Sequence, residues 1–278
     1  MLSSRPGSIR IPFLAILLLT LVATVTTFSA ENDNWPAFRG AHALPIAEDD
    51  TRLPSTWSAT ENVVWKTPVD GLGWSSPVIW GDRIFLTNAP ADGSRLSIVC
   101  IDKNSGTILY NKRLHTVPLP QYCHPFNSYA SPSPVVEQGR VYVSFGSAYN
   151  ACLDSETGDV LWQRTDFVCN HFRGPASSPL LDQEKMYLHF DGSDAQYVVA
   201  LNKHTGETLW RTDRTVDFDD LDPATGKPDR QGDWRKAYST PVIAEVNGRQ
   251  VLVSLGSMAL YGYDPQSGKE LWRVDFIG

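Results

Sequence analysis

The feature that most limits how this chain can fold is a pattern repeated four times along it. Asp102, Ser105, Gly106 and Tyr110 recur in kind as Asp154, Thr157, Gly158 and Trp162. They recur again as Asn202, Thr205, Gly206 and Trp210, and as Asp264, Ser267, Gly268 and Trp272. An Asp or Asn side chain can accept hydrogen bonds from the backbone two residues on, and glycine supplies the positive φ that such a turn requires. The aromatic four residues past the glycine offers a large flat surface to a neighbouring unit. A second shared element precedes each of these: Ser75-Ser76-Pro77, Pro132-Ser133-Pro134, Ser177-Ser178-Pro179 and Ser239-Thr240-Pro241. From Pro77 to Tyr110, Pro134 to Trp162, Pro179 to Trp210 and Pro241 to Trp272 the separations are 33, 28, 31 and 31 residues. The connectors, Tyr110 to Pro134, Trp162 to Pro179 and Trp210 to Pro241, are 24, 17 and 31 residues and vary freely.

Between proline and aromatic each unit reads as short strands. Turn signals at Gly81-Asp82, Gln138-Gly139 and Asn247-Gly248 lead into alternating runs such as Arg140–Phe145 and Lys185–Phe190. A third strand, as in Tyr197–Leu201, enters the Asp/Asn turn, and a fourth ends on the aromatic. Four short strands in about 30 residues describe a propeller blade. The expected fold is all-β: a β-propeller of four-stranded blades over residues 62–278, with blades near 75–110, 131–162, 177–210 and 239–272. Rigid units with variable connectors are the layout of a scaffold that carries its function on loops.

The turn and its aromatic resemble the tryptophan-docking motif of pyrroloquinoline-quinone (PQQ)-like propeller repeats, from about Trp65 to the end of the chain. In that motif the residue two before the Asp/Asn is usually Ala; here it is Cys100, Cys152, Ala200 and Gly262, always small. The resemblance implies packing roles for Cys100 and Cys152. Family propellers usually have seven or eight blades, so four imply a partial ring or open arc rather than a closed four-bladed ring. Trp65 reads as an outer strand without its own blade, which would close the ring by completing a final blade. The family includes PQQ-dependent dehydrogenases and a non-catalytic outer-membrane assembly factor, and membership speaks to fold more than to chemistry.

Residues 1–30 differ from the rest. Arg5 and Arg10 precede the apolar run Ile11–Val25, and small or polar residues lead to Ala30. This is the layout of a secretory signal peptide, with a single membrane anchor as the alternative. Its removal takes away two arginines and no acid, moving the formal charge from -7 to -9. Residues 31–61 read as an extended N-terminal segment. The expected mature protein is periplasmic or secreted, with no stable membrane anchor, and an acidic balance excludes general affinity for nucleic acid.

Chemistry would gather where the connectors meet the loops between second and third strands, on one face. Arg173 in a connector, and Asp191 and Asp194 in such a loop, are among the polar residues there. Cys123 lies eleven residues before Pro134 and Cys169 ten before Pro179, which are matching places on adjacent blades. An exported chain makes a Cys123–Cys169 disulfide the leading expectation. A Cys/His metal site from Cys123, His124, Cys169 and His171, or unpaired thiols packed in loops, are the alternatives. Asp217, Asp219, Asp220 and Asp222 are weak candidates for calcium, lacking the glycine and glutamate of a calcium loop. Ser75, Ser133 and Ser177 recur because the repeat recurs. No phosphate loop, nucleophile elbow or zinc-protease helix occurs, and no two cysteines are adjacent. No residue is assigned to catalysis and no cofactor is expected. The functional expectation is a non-catalytic binding or scaffolding module whose connector face meets a protein partner or small ligand. The alternative is a PQQ- and calcium-dependent oxidoreductase, or a piece of one.

Overall fold

The computed structural model describes residues 34–41, 45–46 and 54–276, so the expected signal peptide lies outside the described residues. Sixteen strands form four separate four-stranded antiparallel sheets, each in sequence order. Blade 1 holds β1 (Val78–Trp80), β2 (Arg83–Asn88), β3 (Arg95–Asp102) and β4 (Ile108–Thr116). Blade 2 holds β5 (Val135–Glu137), β6 (Arg140–Ser144), β7 (Asn150–Asp154) and β8 (Val160–Arg164). Blade 3 holds β9 (Leu180–Asp182), β10 (Lys185–Asp191), β11 (Gln196–Asn202) and β12 (Thr208–Asp213). Blade 4 holds β13 (Val242–Val246), β14 (Arg249–Leu255), β15 (Ala259–Tyr263) and β16 (Glu270–Asp275). The blades form an open arc, a partial propeller.

The Asp/Asn turns are built as their composition requires. Asp102 Oδ1 accepts the Asn104 and Ser105 amides at 3.1 and 2.7 Å, and the Gly106 amide bonds the Asp102 carbonyl with φ +71° at the glycine. Asp154, Asn202 and Asp264 repeat the arrangement. The turns of blades 2, 3 and 4 each receive the aromatic of the blade before. Trp162 Nε1 donates to the Lys203 carbonyl (2.8 Å) and Trp210 Nε1 to that of Pro265 (3.1 Å), while the Tyr110 hydroxyl donates to Ser155 O (3.1 Å). The ring lies over the turn glycine so closely that a Cβ on Gly206 or Gly268 would sit 2.6 or 2.4 Å from it. Glycine is therefore required twice, for its φ and for the approach of the ring.

The small residues two before each Asp/Asn have a matching explanation. Cys100, Cys152, Ala200 and Gly262 are the direct cross-strand partners of Tyr110, Trp162, Trp210 and Trp272. A larger side chain there would push the aromatic off its own sheet. Cys100 and Cys152 are fully buried, and burial drives the Cys152 thiol up to about 11.

The serine-proline element forms a second inter-blade device. The Ser76 amide donates to Ser133 Oγ (2.8 Å), the Ser133 amide to Ser178 Oγ (2.9 Å), and the Ser178 amide to Thr240 Oγ1 (3.1 Å). The hydroxyls before Pro134, Pro179 and Pro241 thus stitch each blade to the one before it, which gives their recurrence a structural cause. Three apolar clusters fill the three blade interfaces. The second joins Tyr142, Cys152 and Trp162 to Met186, Leu188 and Phe190, and the third joins Tyr187, Ala200 and Trp210 to Leu252, Tyr261 and Tyr263. Strand β10 is buried along its whole length because it is covered on both faces.

Two N-terminal segments depart from a simple reading. Trp65 docks on blade 1, its Nε1 donating to the Lys103 carbonyl (2.9 Å), and residues 62–67 belong to no strand. The expected outer strand is corrected: Trp65 keeps the docking role without the sheet, because no strand among the described residues lies beside it. Residues 34–41 run along the inner strands, with Trp35 exchanging backbone bonds with Ile79 (2.9 and 2.8 Å) and Pro36 O accepting the Val136 amide. Together with β5, β9 and β13 they line an axial cleft of about 720 Å³.

Candidate binding face

The segments 117–134, 165–179 and 214–241 connect the blades, and they interlock. Gln121 Nε2 donates to Cys169 O (3.0 Å) and Asn127 Nδ2 to Arg173 O (2.8 Å). The Tyr238 hydroxyl donates to His171 O, and Arg173 grips both oxygens of Asp233 at 2.9 and 3.0 Å. The ammonium of Lys236 sits 3.7 Å above the Phe172 ring and 2.9 Å from Asp233, whose carboxyl it holds below the usual range. The connectors meet side by side at one end of a rigid frame, and backbone carbonyls of one accept from side chains of its neighbour.

Beneath this layer lies a buried polar network between blades 3 and 4. Arg214 pairs with both Asp191 oxygens at 3.0 and 2.8 Å, with the side chains only 2% and 1% exposed. The guanidinium also donates to Ser254 Oγ (2.9 Å) and Tyr263 Oη (3.2 Å) and stacks on the Tyr261 ring. His189 joins from the other side, Nδ1 against Ser254 Oγ (2.9 Å) and Nε2 against Ser177 Oγ (2.7 Å). Burial lowers His189 to about 4, so its imidazole is neutral at pH 7. The pair anchors the start of the longest connector to the end of β10, and its polar atoms are satisfied by one another.

The candidate cysteine and histidine set is not brought together. All four cysteines are free thiols, so the expected Cys123–Cys169 disulfide is not formed in this structure. Cys123 Sγ faces the Arg173 carbonyl and the Gly174 backbone, whereas Cys169 Sγ faces the Ala195 carbonyl and Gly192. Matching positions along two connectors give the same sequence offset but different outlooks, because Cys123 turns to the following connector and Cys169 to the loop between β10 and β11. Cys169 lies 3.7 Å from His171 Nδ1, while the His124 ring packs at a tilt against Phe126. Burial raises both thiols and lowers His171 to about 4. Among the described residues no three His, Cys, Asp or Glu side chains are placed to hold one metal ion.

The acidic connector is likewise employed internally. Asp220 is clamped by Arg235 (2.6 Å), and Asp217 Oδ1 accepts the Asp219 amide. Asp222 opens a turn of the blade type: its Oδ1 accepts the Ala224 and Thr225 amides at 3.0 and 2.7 Å, and Gly226 N bonds Asp222 O. Sequence reasoning missed this turn's kinship, although Asp222-Pro223-Ala224-Thr225-Gly226 matches the motif, because no aromatic follows four residues on. It also missed Arg214, His189 and Asp233, which no repeat position marks.

Outwardly the layer exposes Leu119, Tyr122, Phe126, Val168, Leu221 and Trp234. Residues 117–133 carry no Asp, Glu, Lys or Arg. A cavity of about 170 Å³ opens between Leu119, Tyr122, Phe167 and Pro175, with His171 in its wall.

Four-stranded blades joined by docked aromatics define a propeller of PQQ-like repeats. The family model of the outer membrane protein assembly factor BamB matches residues 35–165 and 94–276, and the chain belongs to that family. BamB from Moraxella catarrhalis superposes with a TM-score of 0.53 at 17% identity, covering 77% of this chain and 56% of that one. Quinohemoprotein alcohol dehydrogenase from Comamonas testosteroni gives 0.47 at 15% identity, covering 88% of this chain and 49% of that one. The chain thus spans about half the length of these structures. No curated protein matches it. Among the described residues no helix is long and apolar enough to cross a membrane.

Proposed function

We propose that this chain is a non-catalytic binding or scaffolding module that acts outside the cytoplasm and meets a protein partner with its connector face. One observation carries this reading. Three connectors, tied together by side-chain bonds and ion pairs, make a pre-organised layer whose outward side chains are apolar and aromatic. Pre-ordered aromatic groups are what protein recognition uses, because they add contact area with little ordering cost. Kinship with an outer membrane assembly factor supports a protein partner, and the N-terminal thirty residues support export. The side chains that could do chemistry are used internally: His171 and His189 are neutral, the buried thiols are held protonated, and Asp220 and Asp191 are paired with arginines.

The alternative chemistry is a quinone-dependent oxidation with calcium. Calorimetric titration of the folded protein with PQQ, with and without calcium, separates the two. The binding-module reading expects no saturable heat in either condition. Saturable binding that requires calcium would replace it with the oxidoreductase.

A further inference from the structure

Among the described residues there are five turns of the docking type, and four of them are covered. In the four blade turns an aromatic ring lies over the glycine. In the fifth, Asp222–Gly226, an added Cβ at Gly226 would meet nothing within 4 Å. The conformation is otherwise the same. The Asp222 amide bonds the Lys227 carbonyl (2.9 Å) as the Asp264 amide bonds that of Lys269 (2.8 Å), and the Gly226 and Gly268 amides bond Asp222 O and Asp264 O at 2.8 Å each. Gly226 has φ +65° and Gly268 φ +71°. The local sequences agree too: Asp-Pro, one residue, Thr or Ser, Gly, Lys in both. Backbone bonds from Asp229 N to Asp220 O (2.7 Å) and a bridge between Leu221 and Pro228 hold the fifth turn at the tip of a small hairpin, exposed on the connector face.

We propose that this bare turn is a docking point for a tryptophan supplied by a protein partner, which rests on the binding-face reading above. The four internal examples state the chemistry of the match. The indole covers Gly226, and its N–H donates to the Pro223 carbonyl, as Trp210 Nε1 donates to that of Pro265. Two residues after the docked aromatic, Thr67, Arg164 and Thr212 each donate to the carbonyl of the turn glycine. The partner segment is therefore an extended strand carrying Trp, one residue, then Thr or Arg. The cleft beside the hairpin is lined by Phe218, Asp219, Asp229 and Trp234, and Asp219 forms no ion pair among the described residues. That charge favours Arg over Thr two residues after the tryptophan.

The probe is a short synthetic peptide with the order Leu-Trp-Gln-Arg, this chain's own Leu161–Arg164, and a control with Trp replaced by Ala. Binding is read from backbone amide shifts of the isotope-labelled full chain. The expected result is an upfield ring-current shift of Gly226 that the control peptide does not cause. Gly226→Asn keeps the left-handed turn, which Asn tolerates, but places a side chain where the ring would lie. It is expected to weaken the peptide by about tenfold or more, the loss of one packed aromatic. Equal shifts from the control, or undiminished binding by Gly226→Asn, would overturn the proposal. So would shifts confined to Leu119 and Tyr122, an outcome that leaves the binding face standing and removes only the docking turn.

Discussion

The blade frame and the connector layer are held together by different physics. Each blade interface is an apolar cluster with a docked aromatic and a hydroxyl stitch, repeated with little change. The connector layer uses Arg214–Asp191, Arg235–Asp220 and Arg173–Asp233, each found once. Apolar packing tolerates repetition because it is non-directional, and any blade fits the next. Ion pairs and side-chain-to-backbone bonds are directional, so they fix one particular arrangement of one particular loop. The frame supplies stability, and the layer supplies a shape that differs from blade to blade.

The largest expected effect breaks the frame. Trp210→Ala removes a ring that fills the interface of blades 3 and 4 and should cost about 3–5 kcal/mol in denaturant unfolding. Trp272, whose ring covers no glycine turn among the described residues and lies against Gly262 of its own sheet, should cost less than half as much on the same substitution. Equal losses would show that docking on the next turn contributes nothing beyond burial.

The layer's buried pair comes next. Asp191→Ala leaves the Arg214 charge enclosed and should also cost about 3–5 kcal/mol, while replacing both with apolar residues of similar size should recover most of it. A double variant no more stable than the single one would mean the pair sets the connector's path and does more than satisfy charge.

The pH dependence follows from two histidines, His189 fully buried and His171 half-buried. His171 and His189 are both lowered to about 4, mainly by burial, from an ordinary value of 6.5. A histidine less basic in the folded state contributes stability that is complete above pH 6.5 and is lost as pH falls from there toward about 4. The unfolded chain binds the extra protons in that window. Melting temperature should therefore fall through it, and His189→Gln, which keeps polar contact with Ser177 and Ser254, should make the fall shallower. An unchanged slope would place the effect on other groups.

The smallest effect is expected at the layer's surface. Arg173→Ala removes a half-exposed partner from Asp233, which keeps the Lys236 ammonium, and should change stability by no more than about 1 kcal/mol. The same variant loosens the hold between two connectors, so it should raise amide exchange at residues 172–173 and 233–238 without affecting the blade strands.

Most of the frame was legible because it is local and repeated. Asp102 with Gly106, or Asp154 with Gly158, specifies a turn from five consecutive residues, and recurrence of the aromatic tells where neighbours meet. The packing role of Cys100 and Cys152 came with the resemblance to the docking motif, whereas their place opposite the aromatic is visible only in the sheet register. The layer was legible only as a face: the repeat places Asp191 and Arg173 on it but does not tell their partners. Arg214, Asp191, Ser254 and His189 come from three loops and strands far apart in sequence, and nothing at any single position marks the partner. Cys123 and Cys169 show the opposite hazard, since matched spacing suggested a contact that each connector's own path does not make. Asp222 was singled out for its charge, yet its structural meaning lay in the Thr225-Gly226 that follows it.

The claim that the connector layer is the contact surface is tested most directly by photo-crosslinking in the cells that make the protein. A photoreactive residue is placed in turn at Tyr122, Phe126 and Trp234 on the layer, and at Leu161 and Leu209 on the outer strands. The account predicts one discrete adduct, of the same mass, from the layer positions and none from the outer strands. Adducts from Leu161 and Leu209 with none from the layer would contradict it and move the interface to the rim of the blades.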